Sequence, residues 1–172
     1  MTGKNVGIVA LGHFLPSTRL TNLDLEKMVE TTDEWIRTRT GIVERRIAAD
    51  EEKTSVMAVR AAQDALKHSK IHAADIELII VATISPDSNF PSMACIVQKA
   101  IKAHKAVAFD IGAACSGFLY AVTTAKQYIQ SGLYKNALVI AAERITNLID
   151  WKDRSTCVLF GDGAGSCVLA PV

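Results

Sequence analysis

Hydrophobic and polar positions along the chain fall into blocks that switch between strand and helix periods. Val6 to Leu11 reads as a strand running into a loop closed by Pro16. Thr21 or Asn22 is placed to cap a short helix. Thr32 or Asp33 is placed to cap a second, which carries Trp35 and stops at Gly41. "IVERRIA" has β-favouring ends and a charged middle, which predicts a surface strand or loop. Thr54 to Lys67 has the pattern of an amphipathic helix. Met57, Ala61 and Ala65 form one row, Ala58, Ala62 and Leu66 its neighbour, and Arg60, Gln63, Asp64 and Lys67 the opposite side. Ile76 to Ile84 is almost continuously apolar, as a strand covered on both faces is.

Pro91 opens another helix from a first-turn position. Val107 to Ile111 is a strand. Cys115 to Gln130 is a helix with Phe118, Val122, Ala125 and Ile129 inward, ended by Gly132. "ALVIAAERI" is a strand. "STCVLF" and "SCVLAPV" read as two strands joined by the glycine turn "GDGAG", a hairpin. Strands that alternate with helices, some of them apolar on both faces, predict an α/β fold: a layered, mixed β-sheet with helices on both faces. No linker or short repeat divides residues 1–172, so a single domain is expected.

Composition narrows the function. A chain of 172 residues, 49% apolar, is large enough for one core. Nineteen basic and 18 acidic residues give a formal charge of +1, which opposes a protein that coats nucleic acid but allows a local basic patch for an anionic ligand. The run "LIIVATI" is far shorter than the ~20 residues of a membrane helix, and the N-terminus is a poor signal peptide. Cys95, Cys115, Cys157 and Cys167 form no C-x-x-C pair, so no metal site is predicted. Free thiols in a reducing cytoplasm are the expectation.

Cys115 is the cysteine whose surroundings suggest chemistry. It follows the strand through Ile111-Gly112-Ala113-Ala114 and precedes Ser116-Gly117 at the head of a helix. In open α/β sheets, ligands gather at the carboxyl ends of strands. The free N–H groups of a helix start favour a negative charge on sulfur and can hold an oxyanion. Small neighbours admit a substrate carbonyl. The alternative from position alone is a core cysteine packed as a small apolar residue. That reading is preferred for Cys95, placed in a helix, and for Cys157 and Cys167, placed in strands. A cysteine hydrolase elbow is a further possibility, but Ala113 stands where the elbow's first Gly belongs.

Five motifs, "TNLDLEKMV", "TDEWIRTRTGI", "FPSMACIVQ", "FDIGAACSGFLYA" and "VLFGDGAGSCVLA", resemble in order the N-terminal half of a β-ketoacyl-acyl carrier protein synthase III, of the thiolase superfamily. The resemblance implies a thiolase-like half-domain and an acyltransferase. Such an enzyme condenses a short acyl-coenzyme A with malonyl-acyl carrier protein in fatty acid biosynthesis, through an acyl-Cys115 thioester. Acyl-coenzyme A is then a substrate, and no permanently bound cofactor is implied. Trp35 and Arg154 match the pair that brackets the coenzyme A adenine, where a flat ring and a planar cation both stack on a base. Arg39 and Thr40 match residues near the nucleotide. Phe90 matches a position that reaches the neighbouring subunit's acyl pocket. Without the resemblance, Trp35 reads as a half-buried anchor, Arg39 and Arg154 as solvated charges, and Phe90 as a loop aromatic in the core. "GDGAG" lacks the Lys-Ser/Thr of a phosphate loop and is expected to be a tight turn close to the active site.

The family's His and Asn, which promote decarboxylation of the malonyl group, match no residue of this chain. His13, His68, His72 and His104 fall at loops or helix ends away from any matching motif. The expectation is a chain that carries the nucleophile but does not complete the condensation alone. It should leave an apolar face uncovered, to be met by a second copy or a separate C-terminal half. The competing expectation is a non-catalytic assembly or carrier-protein-binding subunit of a complete synthase.

Overall fold

The computed structural model describes residues 5–172. Along the chain run β1 (Val6–Phe14), β2 (Thr18–Thr21), α1 (Asn22–Leu25), α2 (Asp33–Thr40), β3 (Glu44–Ile47), α3 (Thr54–His68), β4 (Leu78–Ala82), α4 (Met93–Ile101), β5 (Val107–Ile111), α5 (Gly117–Gln130), β6 (Ala137–Arg144), α6 (Arg154–Cys157) and β7 (Asp162–Pro171). Five strands form one sheet in the order β1-β7-β6-β4-β5. β4 pairs in parallel with β5 and β6, through the helical crossovers that parallel pairing requires, and β7 runs antiparallel to both β6 and β1.

The central strand shows why the apolar run is unbroken. Every residue of β4 is buried. Ile79 and Val81 pack with α3 and α4 on one face, and Leu78, Ile80 and Ala82 with α5 on the other. The fold is the expected layered, mixed sheet with helices on both faces. Two helices cover one face and α5 alone the other. On that thinner side Leu11, Leu119 and Tyr120 are 64%, 66% and 57% exposed.

Small residues set how closely α3 seats. Ala58, Ala61, Ala62 and Ala65 are fully buried. They bring the helix so near β1 that a Cβ on Gly12 would lie 2.1 Å from the Ala65 nitrogen and 2.5 Å from the Ala61 oxygen. Ser166 of β7 donates its hydroxyl to the same Ala61 carbonyl at 2.7 Å.

A smaller assembly is built from β2, β3, α1, α2 and α6. β2 and β3 pair antiparallel, and Leu25, Ile36, Cys157 and Val158 form its core. Thr21 caps α1 with a capping box, and Thr32 caps α2 by accepting from the Trp35 N–H, as the sequence predicts. The charged middle of "IVERRIA" is not all surface. In β3, Arg45 points inward and is 4% exposed, because strand alternation puts it opposite Glu44 and Arg46.

Other expectations are corrected at element ends. "STCVLF" is not a strand. Asp153 accepts from the Ser155 N–H at 2.9 Å and from the Ser155 and Thr156 hydroxyls at 2.6 and 2.8 Å, and so starts the helical turn α6, which holds Cys157. Local capping overrides the β-favouring pattern here. "GDGAG" is not a turn either. It opens β7, paired with β1 on one side and β6 on the other. Its buried Asp162 accepts from the Ala48 N–H (2.8 Å), the Thr146 N–H (3.0 Å) and the Thr146 hydroxyl (2.6 Å), joining β3's end to the loop after β6. Pro91 lies outside α4. Ser92 is the cap, and the Asp110 carboxylate of β5 accepts the Met93 and Ala94 N–H groups, each at 2.7 Å. The helix α5 begins at Gly117, with Cys115 in a single 3-10 turn, Ala114–Ser116, just before it.

Candidate active site

Cys115 is exposed, whereas Cys157 and Cys167 are buried and Cys95 is intermediate. Its turn stands at the carboxyl end of β5, whose Ile111 pairs with Ala82 at the end of β4. A Cβ on Gly117 would lie 3.2 Å from that of Ala82, so the head of α5 rests directly on the end of β4. Ala114 has φ 45°, a left-handed conformation that an alanine rarely adopts. It costs about 1–2 kcal/mol, and strain of this kind collects at functional turns. The sulfur thus sits at a strained strand-to-helix turn, open to solvent and flanked by small side chains.

The same end of the sheet is braced by Glu143, which the sequence did not single out. Its carboxylate accepts from the Ile84 N–H at 2.9 Å, the Thr83 hydroxyl at 3.3 Å and the Ser85 hydroxyl. Ser85 in turn accepts the Arg144 N–H at 2.8 Å. Thr83 donates its own N–H to the Ile111 carbonyl at 3.2 Å. The loop after β4 is therefore tied to β6 and to the strand that leads into Cys115. The same loop leads on to Phe90, which is 89% exposed rather than in the core.

Trp35, Arg39 and Arg154 come together in the smaller assembly. The guanidinium carbons of Arg39 and Arg154 lie 4.6 and 4.9 Å from the Trp35 ring centroid. Arg154 also donates to the Glu30 carbonyl at 3.0 Å. A groove of about 190 Å³ lies between Thr31, Thr32, Trp35 and Arg154, and a second of about 450 Å³, lined by Met28, Glu30 and Lys152, meets it at Arg154. Thr40 is next to this cluster in sequence, but its hydroxyl closes its own helix. It donates to the Ile36 carbonyl at 2.7 Å and accepts from the Ile42 N–H at 3.0 Å.

Among the described residues, no group of three or more His, Cys, Asp or Glu is arranged to hold a metal ion. No helix among them is long and apolar enough to cross a membrane.

The model of the 3-oxoacyl-[acyl-carrier-protein (ACP)] synthase III family matches residues 109–172. Over 168 residues, 98% of the chain, the sequence is 56% identical to the beta-ketoacyl-[acyl-carrier-protein] synthase III of Bacillus pumilus (strain SAFR-032), and covers 54% of that protein. The solved 3-oxoacyl-[acyl-carrier-protein] synthase III from Aquifex aeolicus VF5 superimposes with a TM-score of 0.95 at 52% identity, over 98% of this chain and 54% of that one. The priming beta-ketosynthase of the R1128 polyketide pathway does so with a TM-score of 0.96 at 37% identity, over 99% and 51%. The chain spans about half the length of the curated relatives it matches. Fold and comparisons together define a thiolase-like half-domain with an exposed cysteine at a strand-to-helix turn. Along 98% of its length the chain is similar to about half of a β-ketoacyl-acyl carrier protein synthase III.

Proposed function

We propose that Cys115 is the acyl acceptor of a β-ketoacyl-acyl carrier protein synthase III and takes a short acyl group, acetyl for choice, from acyl-coenzyme A. The observation that carries this is the exposed sulfur on a strained turn at the head of α5. The Cys115 thiolate attacks the thioester carbonyl and forms a carbon–sulfur bond. The resulting oxyanion sits by the N–H groups at the start of the helix. It collapses with cleavage of the bond to the coenzyme A sulfur, which leaves and takes up a proton. In the second half-reaction malonyl-acyl carrier protein loses carbon dioxide, its carbanion attacks the acyl-Cys115 carbonyl, and Cys115 is released as thiolate.

Trp35 and Arg154 form the stacking site for the adenine, and Arg39 with Lys152 supplies positive charge for phosphate. Thr40 closes the end of α2, the helix that carries Trp35 and Arg39. Phe90 extends from the loop beside Cys115's turn towards the acyl pocket of a second subunit. A partner, a second copy or a C-terminal half, covers Leu11, Leu119 and Tyr120.

The second half-reaction draws its His and Asn from outside these residues. His72 and His104 precede β4 and β5, and so lie at the ends of those strands opposite Cys115. His13 and His68 line a cavity with Leu11, Asp64 and Phe118, and Cys115 is not part of that lining. Incubation with acetyl-coenzyme A is expected to release free coenzyme A stoichiometrically with the chain, and not from Cys115→Ala. Release that persists in Cys115→Ala contradicts the assignment, and no release from either favours a non-catalytic subunit.

A further inference from the structure

Arg45 is a buried cation for which no ion pair occurs among the described residues. It is 4% exposed, and burial lowers its pKa from the ordinary guanidinium range. A guanidinium in such a place is held by hydrogen bonds or not at all. Its Nε and Nη2 both donate to the Val158 carbonyl, at 3.3 and 2.7 Å. Its Nη1 donates to Asn22 Oδ1 at 2.9 Å and to the Leu20 carbonyl at 3.5 Å.

The contacts with Val158 and Asn22 lead to the groove. Val158 caps the C-terminal end of α6, and α6 begins at Arg154. A helix of four residues does not hold itself. Asp153 fixes its start, and the fork of Arg45 on Val158 fixes its end. Asn22, 1% exposed, passes the link on: its Nδ2 donates to Asp33 Oδ1 and to the Ile42 carbonyl, each at 2.8 Å. Asp33 is the first residue of α2, which carries Trp35 and Arg39. Its carboxyl is held below the ordinary 3.8 by the hydrogen bond from Arg37 and then by that from Asn22, so the far end of the chain of contacts is a carboxylate.

We propose that Arg45, acting through Asn22, is a positioning residue for nucleotide binding: it fixes α6 with Arg154 against α2 with Trp35 and Arg39. The proposal rests on reading that groove as the coenzyme A site. Arg45 touches neither the groove nor Cys115's turn, so its influence falls on the nucleotide end of the substrate alone.

Two variants test it. Arg45→Lys keeps the charge but cannot fork between Val158 and Asn22. Asp33→Ala breaks the half-exposed far end and leaves Arg45 in place. In each, coenzyme A affinity is expected to fall about tenfold. Acylation of Cys115 by the acetyl thioester of N-acetylcysteamine, which has no nucleotide, is expected to stay within about twofold. Without ligand, the Trp35 indole N–H resonance is expected to shift in both variants. Unchanged coenzyme A affinity in a folded variant, an equal loss with both thioesters, or an unmoved Trp35 resonance overturns the proposal. Absence of coenzyme A binding by the unmodified chain overturns the groove assignment instead, and the Trp35 resonance then decides the role of Arg45.

Discussion

Arg154 lies over Trp35 with its guanidinium carbon 4.9 Å from the ring centroid, although the two residues stand on elements far apart in the sequence. An adenine between them needs planes about 7 Å apart, two contact distances of roughly 3.5 Å. Nucleotide binding by the proposed route therefore lifts Arg154 off the ring, stretching or breaking its bond to Glu30. On that route Arg154 occupies the ring face proposed for the base.

That displacement is measurable in a Trp151→Phe background, where Trp35 is the remaining tryptophan. Coenzyme A is expected to change Trp35 emission in a saturable way. Trp35→Ala is expected to weaken binding by about 1–3 kcal/mol, the usual worth of stacking a base on an aromatic ring. Unchanged emission at saturation, or full affinity in Trp35→Ala, contradicts the stacking site.

Gly12 and Gly165 lie one residue from directly opposite each other across β1 and β7, and their tolerance should differ sharply. Gly12→Ala drives a methyl into the backbone of α3. It is expected to cost about 3 kcal/mol or more in urea unfolding, or to prevent folding. A Cβ on Gly165 meets nothing within 4 Å, and its φ is ordinary, so Gly165→Ala is expected to change stability by less than about 0.5 kcal/mol. Equal effects at the two positions contradict the packing of α3 on β1.

Alkaline pH should act through Cys167. Burial pushes its thiol from the ordinary 9.0 up to about 11. Between those values the folded chain keeps a proton that the unfolded chain has released. The contribution to stability is therefore complete below about pH 9 and is lost as pH rises towards 11. Urea midpoints are expected to fall across that window, and to fall less steeply in Cys167→Ala. The same slope in both proteins contradicts this account.

The sheet and its helices were legible because their signals are repetitive. The unbroken apolar run of β4 and the alanine rows of α3 leave one reading each. The hairpin drawn through "GDGAG" failed because glycine serves close strand packing as readily as turns, and because Asp153 starts a helix where the neighbouring side chains favour a strand. Cys115 stands out by its place between a strand end and a helix start, Trp35 and Arg154 only by motif resemblance, and the cluster of Trp35 with Arg154 is a contact that no local pattern encodes. Arg45 and Glu143 left no local signal. A charged residue in a short strand reads as surface, and only the fold reveals that Arg45 faces Val158 and Asn22, or that Glu143 meets the loop after β4.

The central claim is that Cys115 accepts the acyl group, and peptide mass spectrometry after incubation with acetyl-coenzyme A tests it most directly. The account predicts one acetyl group per chain, on the peptide that contains Cys115, removed by hydroxylamine as a thioester is, and absent from Cys115→Ala. An acetyl group found instead on Cys95 or on a lysine, or no adduct at all in the folded chain, would contradict it.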